Sequence, residues 1–296
     1  MRKGKTYILA AVLLVAIVAI AGVAAACGSS DDGTSTEASA SSAATTPMDK
    51  AKEILGQDPT GLAAKIVDTG TVIVANDANY PPQSSIDKNT GDMVGFDVDV
   101  AKKMGELLNL DVQFENPAWE TIPAGLQQGK YDVSIGSMTI TPERQKVLDF
   151  TDPYYYTSGQ VFVKKGGEQI TGPSDLDGKT VGVGAATTYY DYLKANTKAD
   201  VKTYQTDADA FPDLANGNLD FVMTAGPTGQ QAIVSGQPFE FSGKPLYYED
   251  LAFAIKKDEA DWLALLNYAV RTMHEDGSLT AMSKQWYNGM DLTVKQ

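Results

Sequence analysis

The stretch SIGSMTITPERQKVLDFTDPYYY, Ser134 to Tyr156, gathers Ser137, Thr139, Thr141 and a single arginine, Arg144. Hydroxyl groups donate one hydrogen bond each, and a guanidinium presents a planar fork that matches a carboxylate at two points. Together they could cradle a small anion, or they could decorate a solvated surface. A second group lies in VGVGAATTYY, Val181 to Tyr190. Gly182 and Gly184 follow a strand pattern and precede a helical one, but Thr187 stands where a dinucleotide loop needs its third glycine. A helix N-terminus with free N–H groups, with Thr188 as an extra donor, would instead hold a carboxylate or phosphate. Plain capping by Thr187 or Thr188 is the competing reading. Tyr80 and Trp119 open their segments near strand ends, where they could wall a ligand or pack as core.

Catalytic chemistry finds little support. His274 has no evident partner, no GxSxG elbow is present, and no Cys/His spacing suits a metal. DVDV, Asp97 to Val100, lacks the rest of a calcium loop. Carboxylate pairs such as Asp149 and Asp152 exist, but a glycosidase reading would need a defined separation. We therefore expect no catalytic residue, no metal and no cofactor. The chain has 296 residues, with 24 Lys+Arg against 38 Asp+Glu. That acidic balance argues against nucleic-acid binding, which needs a basic surface. The length allows about two domains, and a single cysteine excludes an internal disulfide.

The elements that must position these residues begin after an export segment. MRKGK is a basic head, Ile8 to Ala26 is apolar and uncharged, and AAAC follows. Residues 1–26 read as a signal peptide, with a membrane anchor as the alternative. Residues 27–46 contain no large apolar side chain and read as a disordered tether. MDKAKEILGQ and PTGLAAKIVDTG read as helices, and TVIVAND as a buried strand. GFDVDVAKKMGELLNL is helical, with Asp97 as its cap and Val98, Ala101, Met104, Leu107 and Leu108 at helical spacing. Strand DVQFEN, helix WETIPAGLQQGK and strand YDVSIGSM complete a β-α-β-α-β order. After strand GQVFVKKGG the order restarts with TVGVG, TTYYDYLKAN, VKTYQT, DADAFPDLANGN, LDFVMTA and GPTGQQAIVSG. Strand EDLAFAIKKD and a helical stretch broken at Gly277 close the chain. Ligands of such folds sit outside the carboxyl ends of strands. Here those ends are ANDANYPP, SIGSMTITPER, VGVGAATTYY and VMTAGPTG.

From about Gly70 to Trp286 the chain resembles the amino-acid-binding, family-3 solute-binding proteins of bacterial ABC importers. The phrases that carry the resemblance are GFDVDVAKKM, IPAGLQQGKYDVSIGSMTITPERQKVLDFTDPYY, LDGKTVGVGAATTYYDYL and MHEDGSLTAMSKQWY. It implies an α/β fold, the two-lobed periplasmic-binding-protein type II clamshell, with lobes joined by two crossing strands, GQVFVKK and EDLAFAIKK. Lobe 1 would take residues 47–159 and 249–296, and lobe 2 residues 160–248. Arg144 corresponds to the arginine that grips a ligand's α-carboxylate, and Thr188 to a second-lobe hydroxyl near it, with Thr187 beside it. Ser137 and Thr139 correspond to strand-end positions that meet the ammonium and carboxylate, with Met138 between them. Asp77 corresponds to an acid near the ligand side chain, and Tyr80 and Trp119 to the walls. Two positions depart from the pattern. Gln83 stands where an aromatic is common, and Ala225 stands where an aspartate pairs with the α-ammonium. Cys27 after AAA resembles a lipoprotein junction, with Ala24 in place of the usual leucine. The resemblance implies an exported, monomeric protein, lipid-anchored on the outer face of the cytoplasmic membrane or in the periplasm. It would bind a small amino-acid-like carboxylate and hand it to an ABC permease. An enzyme resembling cyclohexadienyl dehydratase, or a sensor for a membrane partner, are the alternatives.

Overall fold

The computed structural model describes residues 45–295. The expected signal peptide, Cys27 and the tether up to residue 44 lie outside the described residues. Thr46 already belongs to the fold: its hydroxyl accepts from the Asp49 N–H and caps the helix Pro47–Leu55.

Among the described residues a nine-stranded sheet runs through the molecule, and its two halves are each parallel. In the first half the β-branched strand Thr71–Ala75 lies between Asp111–Glu115 and Val133–Thr139. In the second, Thr180–Gly184 lies between Asp200–Tyr204 and Phe221–Ala225. Parallel strands need crossover connections, and the helical stretches between them supply these. Two long antiparallel strands join the halves. Tyr155–Lys164 pairs with Phe221–Ala225, and Phe239–Lys256 pairs with Val133–Thr139. The two also pair with each other from Tyr155↔Leu251 to Lys164↔Phe239. This is the two-lobed type II arrangement expected from the sequence. The second joining strand starts ten residues earlier than EDLAFAIKKD suggests. Its register slips between Ser242 and Tyr247, where Gly243 takes φ +70, so a bulge absorbs a stretch that reads as loop.

Each lobe has its own core. The first buries Ile66, Val72, Met104, Phe253, Trp262 and Val270, together with an aromatic group of Phe96, Tyr154, Tyr155 and Tyr287. The Trp262 indole N–H donates to the Asp132 carbonyl at 3.0 Å, so this buried ring leaves no donor unpaired. The second lobe buries Val161, Val183, Leu193, Phe221 and Met223. Asp97 is not the cap expected of it. Gly95 precedes the helix Phe96–Leu108 at φ +141, and a Cβ there would lie 2.2 Å from the Gln83 carbonyl oxygen. The helix thus starts two residues before a cap at Asp97 allows, and the Asp97 side chain turns inward.

Candidate functional site

Between the lobes lies a cleft, partly open to solvent, whose outline takes in about 560 Å³. The first lobe contributes Asp77, Tyr80, Trp119, Ser137, Thr139 and Arg144 to its walls, and the second contributes Thr187 and Thr188. Eight of the ten positions singled out from the sequence therefore meet in one cavity.

Arg144 sits in the short helix Pro142–Gln145, whose N-cap Thr141 accepts the Arg144 N–H at 3.2 Å. Its Nη1 donates to the Thr139 carbonyl at 3.0 Å and its Nη2 reaches the Ala186 carbonyl at 3.5 Å. The guanidinium lies 5.4 Å from the centre of the Trp119 ring, within cation–π range. Among the described residues no carboxylate lies within salt-bridge distance of it. Burial works against its charge, while Glu249 and Asp191 support it. A half-buried guanidinium held by carbonyls and an indole face keeps donors for a planar anion.

Across the cleft, Thr187 caps the helix Thr188–Asn196 by accepting the Tyr190 N–H at 3.1 Å. Capping and anion binding are compatible there, because the N–H groups of Thr188 and Tyr189 still have no partner within the helix. The Thr188 hydroxyl donates to Glu249, and the Thr139 hydroxyl donates to the same oxygen at 3.0 Å. Glu249, on the second joining strand, thus ties a hydroxyl of each lobe, and its Oε2 has no partner. Burial raises its pKa, and the hydroxyl donors oppose that rise.

Asp77 accepts from the N–H groups of Asn79 and Trp119 at 3.1 and 3.0 Å and from the Asn79 amide at 2.9 Å. It fixes the backbone that presents Trp119. The Trp119 indole N–H crosses to the Ala186 carbonyl at 3.1 Å, and the Tyr80 hydroxyl lies 3.4 Å from that of Tyr189. Ser137 lines the cleft at φ +58, but its polar groups are turned into lobe 1. Its N–H donates to the Tyr154 hydroxyl, and its Oγ donates to Asp97 at 2.7 Å and accepts from Tyr155 at 2.6 Å. Asp97 also accepts from Tyr154 at 2.6 Å, and burial lifts its pKa to about 7.

Two positions are not brought to the cleft. Met138 follows Ser137, and alternation along the strand sends its side chain to the opposite face. There it packs fully buried with Ala75, Ile122 and Leu126. Ala225 is fully buried with Val161 and Val183 and does not line the cavity. Gln83 does not form the cleft wall either: fully buried, it donates to the Thr228 hydroxyl of the second lobe at 3.3 Å. The sequence reading missed Asp207 and Glu249. Asp207 lines the cleft at 3 % exposure, accepting from the Gly184 N–H and from the Thr224 hydroxyl at 2.8 Å. Burial raises its pKa to about 7, and Glu249 adds to the rise. In sequence, Asp207 follows Thr206 at the head of a helical stretch and looks like capping chemistry.

A cleft between two α/β lobes, joined by a pair of strands and lined by one arginine, hydroxyls and aromatic walls, defines a ligand-binding protein of the periplasmic type II class. The profile of the bacterial extracellular solute-binding proteins, family 3, matches residues 72–289, and the chain belongs to this family. It is 32% identical over 236 residues to the L-cystine-binding protein TcyJ of Escherichia coli K12, covering 79% of this chain and 88% of that protein. It is 35% identical over 222 residues to the ABC transporter arginine-binding protein 1 of E. coli K12, covering 71% and 88%. Among solved structures, a mutant of ArgBP from T. maritima superposes with TM-score 0.73 at 29% identity, over 77% of this chain and all of that one. The ancestral amino acid-binding protein AncCDT-1, a precursor of cyclohexadienyl dehydratase, superposes with TM-score 0.71 at 33% identity, over 75% and 98%.

Proposed function

We propose that this solute-binding protein captures an amino acid, or a closely related small carboxylate, between its lobes and delivers it to an ABC permease. The observation that carries the reading is Arg144: a guanidinium that has no carboxylate partner among the described residues and faces a helix N-terminus with two N–H groups unpaired within the helix. Relatives named for cystine and arginine set the class of ligand to try first. The protein acts as a monomer, exported and held by lipid at Cys27, with residues 27–44 as tether and lobe boundaries at 159/160 and 248/249. Among the described residues no helix is long and apolar enough to cross a membrane.

Thermal unfolding of the mature protein against amino acids and other small carboxylates tests the ligand class, since a ligand at 100 times its Kd stabilises by about 2.7 kcal/mol. A clear rise in Tm with at least one amino acid is expected. No rise with any of them removes the reading. For the anchor, Cys27→Ser should leave soluble protein or uncleaved precursor, and normal anchoring of the variant would contradict it. An enzyme on this scaffold draws support from the raised carboxylates Asp207 and Glu249, which could serve as general acids. Incubation with prephenate or arogenate decides that second reading, and we expect no turnover.

A further inference from the structure

We infer that Asp207 is the anchor for the ligand's ammonium group, taking over at the neighbouring turn the role that the uncharged strand end at Ala225 cannot fill. The inference rests on the proposed function, in that the ligand is taken to carry an ammonium beside its carboxylate.

The placement comes first. Asp207 lines the same cavity as Arg144, Thr139 and Thr188. It follows the strand Asp200–Tyr204, yet its carboxylate is laid against the ends of the two adjacent strands. Oδ1 accepts from the N–H of Gly184, the last residue of one strand. Oδ2 accepts from the hydroxyl of Thr224, the residue before Ala225 at the end of the other. The carboxylate therefore reaches the Ala225 strand end from a different segment of chain. The seat is also prepared: a Cβ on Gly184 would lie 2.5 Å from Oδ1, so only glycine leaves the carboxylate in place.

The charges point the same way. Arg144 is the one cation along the cleft among the described residues, against Asp77 and Asp207 on its walls and Glu249 behind them. Asp77 is committed to three donors that hold Asn79 and Trp119. Asp207 has two, and a carboxylate accepts about four. Burial and Glu249 both disfavour its charge, a penalty that a ligand cation relieves.

Isothermal titration with L-arginine, L-cystine and 5-guanidinopentanoate, the arginine analogue without the α-amino group, tests this. The native protein should bind an amino acid, and prefer arginine to its analogue by about thirtyfold or more, the effect of removing one partner of a buried pair. Asp207→Asn, which keeps an acceptor for the structural donors, should lose about that factor and no longer discriminate the analogue. If the native protein binds an amino acid and Asp207→Asn binds it equally well, the inference is overturned while the proposed function stands. If the native protein binds no amino acid, the proposed function falls and this inference with it. Should Asp207→Asn fail to fold, titration of the native protein with L-arginine and with 5-guanidinopentanoate decides. A preference of the native protein for L-arginine over 5-guanidinopentanoate of about thirtyfold or more supports the anchor, and equal affinities overturn it.

Discussion

At the scale of single residues, the floor of the cleft is held by a buried carboxylate that works against stability at neutral pH. Asp97 accepts from Ser137 and Tyr154, yet burial keeps its pKa near 7, above that of an unfolded aspartate. Between about pH 4 and about pH 7 the folded state holds a proton that the unfolded chain has released, so stability falls as pH rises through this window. The penalty is fully present above pH 7. Asp97→Asn should therefore flatten the decline in Tm over that range, and a calorimetric series with the native slope would count against the account. Glu249 and Asp207 are also raised by burial and add slopes of the same sign, so the decline is reduced rather than abolished. Arg144 was legible from sequence because it follows a hydroxyl-lined strand end and matches the carboxylate-gripping arginine of the family, whereas the residue types alone also fit a solvated surface. Asp207 was not, because an aspartate after threonine before a helical stretch fits a cap equally well. Only the three-dimensional approach of Gly184 and Thr224 distinguishes the two.

At the scale of elements, the parallel strands were legible because β-branched runs between helical repeats leave little choice. The extension of the second joining strand to Phe239 was not, because Gly243 and Pro245 mimic a loop where the strand carries a bulge. The element on which binding depends most is the helix Thr188–Asn196. Its cap, Thr187, accepts the Tyr190 N–H and donates to the Gly184 carbonyl at 2.9 Å, so one hydroxyl fixes both the helix start and the strand end before it. Thr187→Ala should cost about 1 kcal/mol of stability. It should also weaken ligand binding, because the free N–H groups lose their orientation. Denaturant unfolding and titration of the variant measure the two effects. Loss of neither would make the cap incidental.

At the scale of the molecule, the lobes meet through a small set of polar contacts. Trp119 and Arg144 both reach the Ala186 carbonyl, Tyr80 meets Tyr189, Gln83 meets Thr228, and Glu249 joins Thr139 to Thr188. Contacts of this kind exist only while the lobes are together, so they bias closure. Gln83→Ala removes one of them outside the cavity. It should weaken amino-acid binding by about 1 kcal/mol and leave the preference among ligands unchanged, and a changed preference in titration would place Gln83 in the ligand wall after all. The central claim is that this closing cleft grips a carboxylate through Arg144. Titration of the native protein and Arg144→Ala with the amino acid that most raises the native Tm tests it directly. The account predicts a loss of about 2–5 kcal/mol in binding with folding retained, whereas equal affinities in the two proteins would contradict it.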